Sequence, residues 1–271
     1  MSAQKGKDLL LKLDGDGNGL WWDAASATLY LADNHNNRIL QWTDAGGIAL
    51  NQLSPTPAGD SFVGVPSPFA RGNLVPRGLV IFDYASQPLR LLQGSNDAKV
   101  VAQQGFLHLN ASFAVQDRLL VSALLPVALL QGGDDPTVQG VKLSSPTGTQ
   151  IGDLRLGLRI RMFGDDDDPF QIGVGAYLHV PTAPSGSYVG EGAVRGAPHL
   201  SVGGRFKLGV PLVWTAAGGM LIRASKNPSL VTYGAGLAAA LLDDRLQIGP
   251  EFYGSTPIQD GTLSLSSELE L

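Results

Sequence analysis

Hydrophobic and polar residues alternate along much of the chain after residue 76, with the period of two that is typical of β-strands. The clearest example is the segment 151–163, in which Leu156 and Leu158 share one face of the predicted strand. Arg155 and Arg159 share the other face. Because charged side chains are costly to bury without partners, we expect one face of this strand to meet water or paired charge and the other to meet an apolar environment.

Further segments alternate in the same way, at residues 107–115, 170–179, 199–207, 246–252 and 263–271. Short polar turns and longer loops also alternate between these segments. The turns are predicted at 116–118, 164–168, 209–210 and 243–244, and the loops at 131–150, 181–195 and 254–261. This arrangement predicts an all-β fold, an antiparallel up-and-down β-barrel of about ten strands.

Composition narrows the class of protein further. The 271 residues include 35 glycines and 17 prolines, which disfavours long helices, and only 16% of residues are charged, against about 25% in soluble domains. No run approaches the roughly 18 apolar residues of a transmembrane helix. If the chain enters a membrane, it must therefore do so as a closed barrel.

The chemistry that the composition permits is narrow. A net charge of -5 and a pI near 5.3 argue against a nucleic-acid partner. The chain contains no cysteine, which excludes disulfides, thiolate catalysis and cysteine metal sites. Because it also contains no nucleophile elbow, phosphate-binding loop or dinucleotide motif, we expect neither an enzyme nor a bound cofactor.

Residues 1–51 predict a small N-terminal β extension. Short strands are expected at 20–22, 28–32 and 38–42, with polar turns between them. The sequences Leu29-Tyr30-Leu31-Ala32-Asp33 and Asn37-Arg38-Ile39 resemble one blade of a β-propeller of the NHL or SMP-30/gluconolactonase type, over about residues 14–50. A single blade cannot bury its faces without neighbours, and the chain contains no second copy of the pattern.

Residues 52–75 are rich in Pro, Gly and Ser. This composition is typical of a linker or an extended lead-in. The domain organisation expected from the sequence is therefore a blade-like segment (1–51), this connection (52–75) and a transmembrane-type barrel (76–271).

The barrel region resembles the amino-terminal barrel of OmpA-family outer-membrane proteins of the myxobacterial kind, over about residues 73–271. The matching sequences are Asn73-Leu74-Val75-Pro76-Arg77-Gly78, Asp117-Arg118-Leu119, Leu125-Pro126-Val127, Ile151-Gly152-Asp153-Leu154-Arg155-Leu156-Gly157 and Val180-Pro181-Thr182. The resemblance implies an outer-membrane location and outer-membrane lipid as partner. Members of the family usually continue into a peptidoglycan-binding domain, whereas this chain ends at Leu271 in a predicted strand, so peptidoglycan binding is not predicted.

Residues 14–19 fit the first half of a calcium loop, with Asp14, Asp16 and Asn18 as candidate ligands. The twelfth position, where a bidentate Glu is needed, is Ala25. A flexible turn is therefore the favoured interpretation, and no metal site is predicted. The acidic run 165–168 is likewise interpreted as a solvated turn rather than a cation site.

Three of the four histidines, His108, His179 and His199, fall on predicted inner faces. They could bind a metal or act as hydrogen-bonded interior side chains. No carboxylate-rich spacing accompanies them, which favours the second interpretation.

Charged residues on the inner faces predict a lumenal network. Its candidate members are Asp153, Arg155, Arg159, Arg161, Arg205, Lys207, Glu251, Glu268 and Glu270. A barrel near this size has an interior largely filled by side chains, so we expect a narrow lumen in which pairing between these charges dominates. Small solutes are the ligands that a path along them would admit.

The function predicted from the sequence is a structural or passive, pore-like role in the outer membrane, without catalysis. The alternatives are a soluble propeller-type binding protein, an SMP-30-like lactonase fragment, or a chimeric chain with a non-functional N-terminal blade. Export of a barrel requires a signal peptide, and residues 1–11 do not have the apolar run of one.

Overall fold

The computed structural model is all-β. It describes residues 9–12, 19–23, 28–33, 38–43, 49–51, 53–93, 96–138, 141–224, 228–242, 244–259 and 262–263. Within these ranges, no helix has the length and apolar character needed to cross a membrane.

The N-terminal extension is a four-stranded antiparallel sheet. Its strands, in spatial as well as chain order, are β1 (Leu9–Lys12), β2 (Gly19–Asp23), β3 (Thr28–Asp33) and β4 (Arg38–Thr43). The three strands expected from the sequence are present, and β1 is an addition that pairs with β2 through Leu9 and Trp22. The propeller resemblance stays a prediction. The calcium-loop candidates Asp14, Asp16 and Asn18 lie outside the described residues.

The rest of the chain forms a large antiparallel sheet. Its strands are β5 (Val75–Gln93), β6 (Asn96–Val115), β7 (Leu119–Gly132), β10 (Gln150–Ile151), β11 (Leu154–Phe163), β12 (Gln171–Val180), β13 (Arg195–Leu208), β14 (Val210–Arg223), β15 (Leu230–Leu241), β16 (Leu246–Ile248), β17 (Glu251–Gln259) and β18 (Thr262–Leu263). Two short strands, β8 (Thr137–Val138) and β9 (Val141–Lys142), form a separate hairpin in the connection between β7 and β10.

The large sheet is an up-and-down meander curled into a half-barrel. Its hydrogen-bonded order is β5-β6-β7-β11-β12-β13-β14-β15-β17-β18, with β10 beside β7 and β16 beside β15. The predicted antiparallel, barrel-like all-β fold is confirmed.

One predicted loop is a strand. Residues 254–259 belong to β17, where Ser255 pairs with Thr232 and Pro257 with Leu230 of β15. Gly254 and Pro257 favoured a loop in the sequence because glycine and proline are depleted in strands. The backbone pairing with β15 overrides that local preference.

The two faces of the curled sheet differ in burial, as β11 illustrates. Arg155, Arg159 and Arg161 are buried on its concave face, whereas Leu156 and Leu158 are exposed on its convex face. The alternation expected from the sequence is therefore present in the fold. It places charge inside and apolar side chains outside.

The two ends of the meander also differ. At the short-turn rim, β6–β7, β11–β12 and β13–β14 are joined by residues 116–118, 164–170 and 209. At the long-loop rim, the connections include residues 133–138 and 141–149 between β7 and β10, and residues 181–194 between β12 and β13.

Candidate functional site

Residues 53–70, which we call the central segment, lie inside the concave face of the large sheet. Thr56, Phe62, Val65, Ser67 and Ala70 are all less than 6% exposed. The interpretation of residues 52–75 as a linker or lead-in did not anticipate this interior position.

Arg159 on β11 makes the strongest polar contact with the central segment. Its Nη1 and Nη2 atoms donate to the two carboxylate oxygens of Asp60 at 2.6 and 2.7 Å. Nη1 also donates to the carbonyl oxygen of Phe69 at 3.1 Å. Both charged side chains are almost fully buried, at 2% and 1% exposure. This bidentate pair therefore fastens the segment to the middle of β11.

Arg155 lies four residues before Arg159 on the same face of β11. It binds the beginning of the central segment. Its guanidinium donates to the hydroxyl of Ser54 at 2.7 Å and to the carbonyl oxygen of Pro55. The same guanidinium lies over the ring of Tyr177, 4.4 Å from its centroid. The buried charge of Arg155 is thus stabilised by hydrogen bonds and by a cation–π contact.

Polar side chains of β6 bind the backbone of the central segment much as a neighbouring strand would. Asn110 donates to the carbonyl oxygen of Thr56 at 2.6 Å and accepts from the amide of Ala58 at 3.2 Å. Ser112 donates to the carbonyl oxygen of Ala58 at 2.6 Å. These contacts satisfy backbone groups that burial would otherwise leave unpaired.

The opposite side of the half-barrel binds the same segment through Glu251 of β17. Its carboxylate accepts hydrogen bonds from the backbone amides of Val63 at 2.9 Å, Val65 at 2.8 Å, and Gly64. Three consecutive amides around one carboxylate form an anion nest. The central segment therefore connects β6 and β11 on one side of the interior with β17 on the other.

Glycines on the concave face leave the space that the central segment occupies. A Cβ atom at Gly173 or Gly203 would lie 2.9 or 3.0 Å from Pro68, and one at Gly236 would lie 2.5 Å from Phe62. Phe62 itself packs with Val65, Phe69, Val213 and Ala238 in a buried apolar cluster.

A Gly236→Ala variant is expected to lose about 1–3 kcal/mol of unfolding free energy, because the added methyl group overlaps the ring of Phe62. Gly78→Ala is the matched control, since a Cβ atom at Gly78 meets nothing within 4 Å. Urea unfolding followed by tryptophan fluorescence compares the two. Equal stability of both variants would contradict close packing of the segment against β15.

A second buried network lies at the long-loop rim, around Glu191. The Glu191 carboxylate accepts from Arg223 at 2.7 and 2.9 Å and from Arg195 at 3.0 Å. Arg195 also donates to Asp153 at 2.8 Å. Burial disfavours the charged form of Glu191, but the hydrogen bonds and charges of Arg223 and Arg195 outweigh it and lower its pKa.

Because the pKa of Glu191 is lowered in the folded state, its contribution to stability is complete above the unfolded value of roughly 4.3 and is lost as the pH falls through the folded value. A Glu191→Gln variant is expected to be less stable than the parent by about 1.5–3 kcal/mol at neutral pH, with the difference vanishing in acid. Unfolding measured from pH 7 downward tests this. Asp167→Asn, at a side chain 94% exposed, is the control and should show no such trend. A pH-independent difference for E191Q would contradict the ion pairing.

Aspartates and arginines form a more exposed network at the short-turn rim. Asp166 pairs with Arg161 and, at 3.3 Å, with Arg71. Asp244 pairs with Arg205 at 2.6 Å and with Arg71 at 3.8 Å. In the acidic run 165–168, Asp166 is half-buried in this network, whereas Asp165, Asp167 and Asp168 are exposed; Asp167 lies 3.4 Å from Arg71.

His108, His179 and His199 lie on three different strands, β6, β12 and β13. His108 is buried, and its Nε2 atom lies 2.7 Å from Asp83 and 3.2 Å from Asn51. His199 stacks on Tyr177 with ring centroids 4.7 Å apart. In the described part of the chain, no group of three or more His, Asp and Glu side chains could bind a metal ion.

The structure divides the predicted lumenal network into three groups. Arg155, Arg159 and Glu251 bind the central segment, Asp153 belongs to the long-loop rim, and Arg161 and Arg205 belong to the short-turn rim. Lys207 is exposed near the turn at Gly209, and Glu268 and Glu270 lie outside the described residues.

Sequence reasoning missed Asp60, Glu191, Arg195 and Arg223. Asp60 stands in a Pro- and Gly-rich stretch, and the other three stand in a loop or at strand ends, where a charge is usually solvated. The signal that could have found Asp60 is the pair of inward arginines at 155 and 159, since buried arginines require partners.

Comparison with known proteins does not assign the chain to a family. No protein-family model matches the chain, and no curated protein matches it. The OmpA-family and propeller resemblances therefore stay predictions.

Proposed function

We propose that this protein is an outer-membrane β-barrel with a structural role, whose convex face contacts lipid and whose interior is filled by the central segment. The observation that carries the proposal is the opposite chemistry of the two faces of the sheet. On β11, Leu158, Ile160 and Met162 are 48%, 41% and 59% exposed, while Arg159 and Arg161 between them are buried. A soluble sheet presents the reverse arrangement, with apolar side chains inside.

The apolar character of the convex face is continuous from strand to strand. One row runs across β5, β6, β7, β11, β12 and β13 through register partners that are all exposed and apolar. Its members are Pro76, Phe113, Val121, Leu158, Ala176 and Pro198. With neighbouring strands about 4.8 Å apart, the row is roughly 24 Å wide. An apolar surface of this extent is typical of contact with a membrane or a partner, not with water.

Within the proposed barrel, the central segment favours a structural role over a pore. Its backbone and side chains occupy the interior at the level of β6, β11 and β17, where a solute path would run. The buried Asp60–Arg159 pair and the Glu251 nest would have to separate before the segment could leave. No catalytic role is proposed.

Heat-modifiability tests the membrane proposal. The protein is expected in the membrane fraction, and the unboiled, detergent-extracted sample should migrate faster on a gel than the boiled one, because a folded barrel resists the detergent. A freely soluble protein without a band shift would overturn the proposal.

Planar-bilayer recording distinguishes the structural role from a pore. The folded protein is expected to insert without steady conductance, since the central segment fills the interior. Sustained single-channel currents would show that solutes pass the segment, and would replace the structural role with the pore-like one.

A further inference from the structure

A small cavity lies between the central segment and the short-turn rim. Its volume is about 200 Å³, and its polar lining consists mainly of Asp60, Ser61, Arg71, Arg77 and Arg205. Apolar walls are supplied by Phe69 and Leu120, among others. Three arginines thus line one partly open cavity, with a single carboxylate among the lining residues.

That carboxylate is already neutralised. Both oxygens of Asp60 accept from Arg159, and one also accepts from the hydroxyl of Ser67 at 2.8 Å. The negative charge of Asp60 is therefore paired with Arg159, which does not line the cavity. It does not offset the charge of the three arginines that do.

Two of the lining arginines are fixed from outside. Arg71 and Arg205 bind Asp166, Asp167 and Asp244, none of which lines the cavity. Arg205 also lies over the ring of Phe69, 5.8 Å from its centroid. These contacts keep both guanidiniums at the cavity wall.

Arg77 differs from the other two. Its Nη2 atom donates to the carbonyl oxygen of Arg71 at 2.6 Å, and within the described ranges no carboxylate lies within 4.0 Å of its nitrogens. Its side chain packs over Gly59, where an added Cβ atom would lie 2.8 Å from the Arg77 Nε atom. Because a guanidinium has five N–H donors, Arg77 retains donors and an uncompensated charge at the cavity.

The geometry points to a binding site for a small soluble oxyanion, of the phosphate or sulfate class, with Arg77 as its principal ligand. Planar guanidinium donors match the oxygens of such anions. The charges of Arg71 and Arg205 are paired with aspartates outside the cavity, so Arg77 supplies the uncompensated positive charge. The cavity lies on the concave side, beside buried Phe69 and Ala70, whereas lipid is proposed to contact the convex side. A free anion is therefore favoured over a lipid headgroup.

The test is calorimetric titration of the full chain, in a detergent with an uncharged headgroup, with sodium phosphate and sodium sulfate at matched ionic strength. Saturable binding is expected for the parent protein. Arg77→Gln is expected to weaken it about tenfold or more, because a charge-assisted contact is lost. Arg118→Gln is the control, since Arg118 is exposed at the same rim and does not line the cavity, and it should change the affinity less than about twofold.

Ser61→Asp is a second variant, which leaves all three arginines in place and adds a repelling carboxylate to the lining; it too should weaken binding. Heat-modifiability verifies that each variant is folded. The proposal is overturned by a parent protein that binds neither anion, by R77Q and S61D variants that bind like the parent, or by equal weakening in R118Q. A parallel titration with a monomeric short-chain phosphatidic acid separates the two phosphate sources. Binding of that lipid alone would also overturn the proposal, because the ligand would then be a headgroup.

Discussion

The free energy of unfolding of an Arg159→Met variant is expected to be about 3–5 kcal/mol lower than that of the parent protein. The substitution removes the partner of Asp60, whose side chain is 1% exposed. The Asp60 carboxylate would then be buried with only the Ser67 hydroxyl as a hydrogen-bond donor from a side chain. Urea unfolding in detergent micelles, followed by tryptophan fluorescence, measures the loss.

Two further variants make this result specific. Asp244→Asn breaks the Arg205 ion pair at a carboxylate that is 44% exposed, and it should cost only about 0–1 kcal/mol. The double variant Asp60→Leu with Arg159→Met should recover part of the loss, because neither charge is then left unpaired. Equal losses in R159M and D244N would mean that the interior of the half-barrel is hydrated and that the central segment is not fastened there.

A Leu158→Arg variant is expected to prevent stable insertion of the protein into lipid bilayers. Leu158 is 48% exposed at the middle of β11, within the apolar row of the convex face. An arginine on the lipid-facing side of a barrel near the bilayer midplane costs about 2–4 kcal/mol. The fraction of protein that shows the heat-dependent gel shift after refolding into liposomes measures the effect.

Thr147→Arg is the matched control for this substitution, because Thr147 is exposed in the long connection between β7 and β10. It should insert like the parent protein. An L158R variant that inserts normally, or that is merely more soluble and otherwise unchanged, would show that the convex face does not contact lipid.

The strands and their faces could be predicted from the sequence because period-two alternation is a local signal. Each neighbouring pair such as Leu158 and Arg159 indicates which face of its strand is apolar, and the paired residues of the next strand share that face. The position of the central segment could not be predicted in this way. Its Pro- and Gly-rich composition is the same whether the backbone is solvated or bound by Asn110, Ser112 and Glu251.

The candidate site was predictable only in part, for a related reason. Inward charges on regular strands, such as Arg155 and Glu251, follow from alternation, but their partners stand in irregular segments where alternation gives no information. By its place in the alternation of β13, Lys207 should lie on the inner face, but it is exposed. It lies at the short-turn rim, beyond the enclosed part of the interior. Alternation predicts which face of a strand a residue occupies, but it does not show how far the enclosed space extends along the strand.

The central segment also sets the order in which the protein can fold. Most strand pairs of the sheet join neighbours along the chain, whereas Asp60 meets Arg159 across 99 residues and Gly64 meets Glu251 across 187. Hairpins close quickly, while distant contacts wait for the chain between them to be ordered. We therefore expect a rapid folding phase that forms the meander and a slower phase that encloses the central segment. The central segment precedes every strand of the large sheet in the chain, so the strands that enclose it are synthesised after it. In R159M, the slower phase should lose amplitude while the rapid one is unchanged.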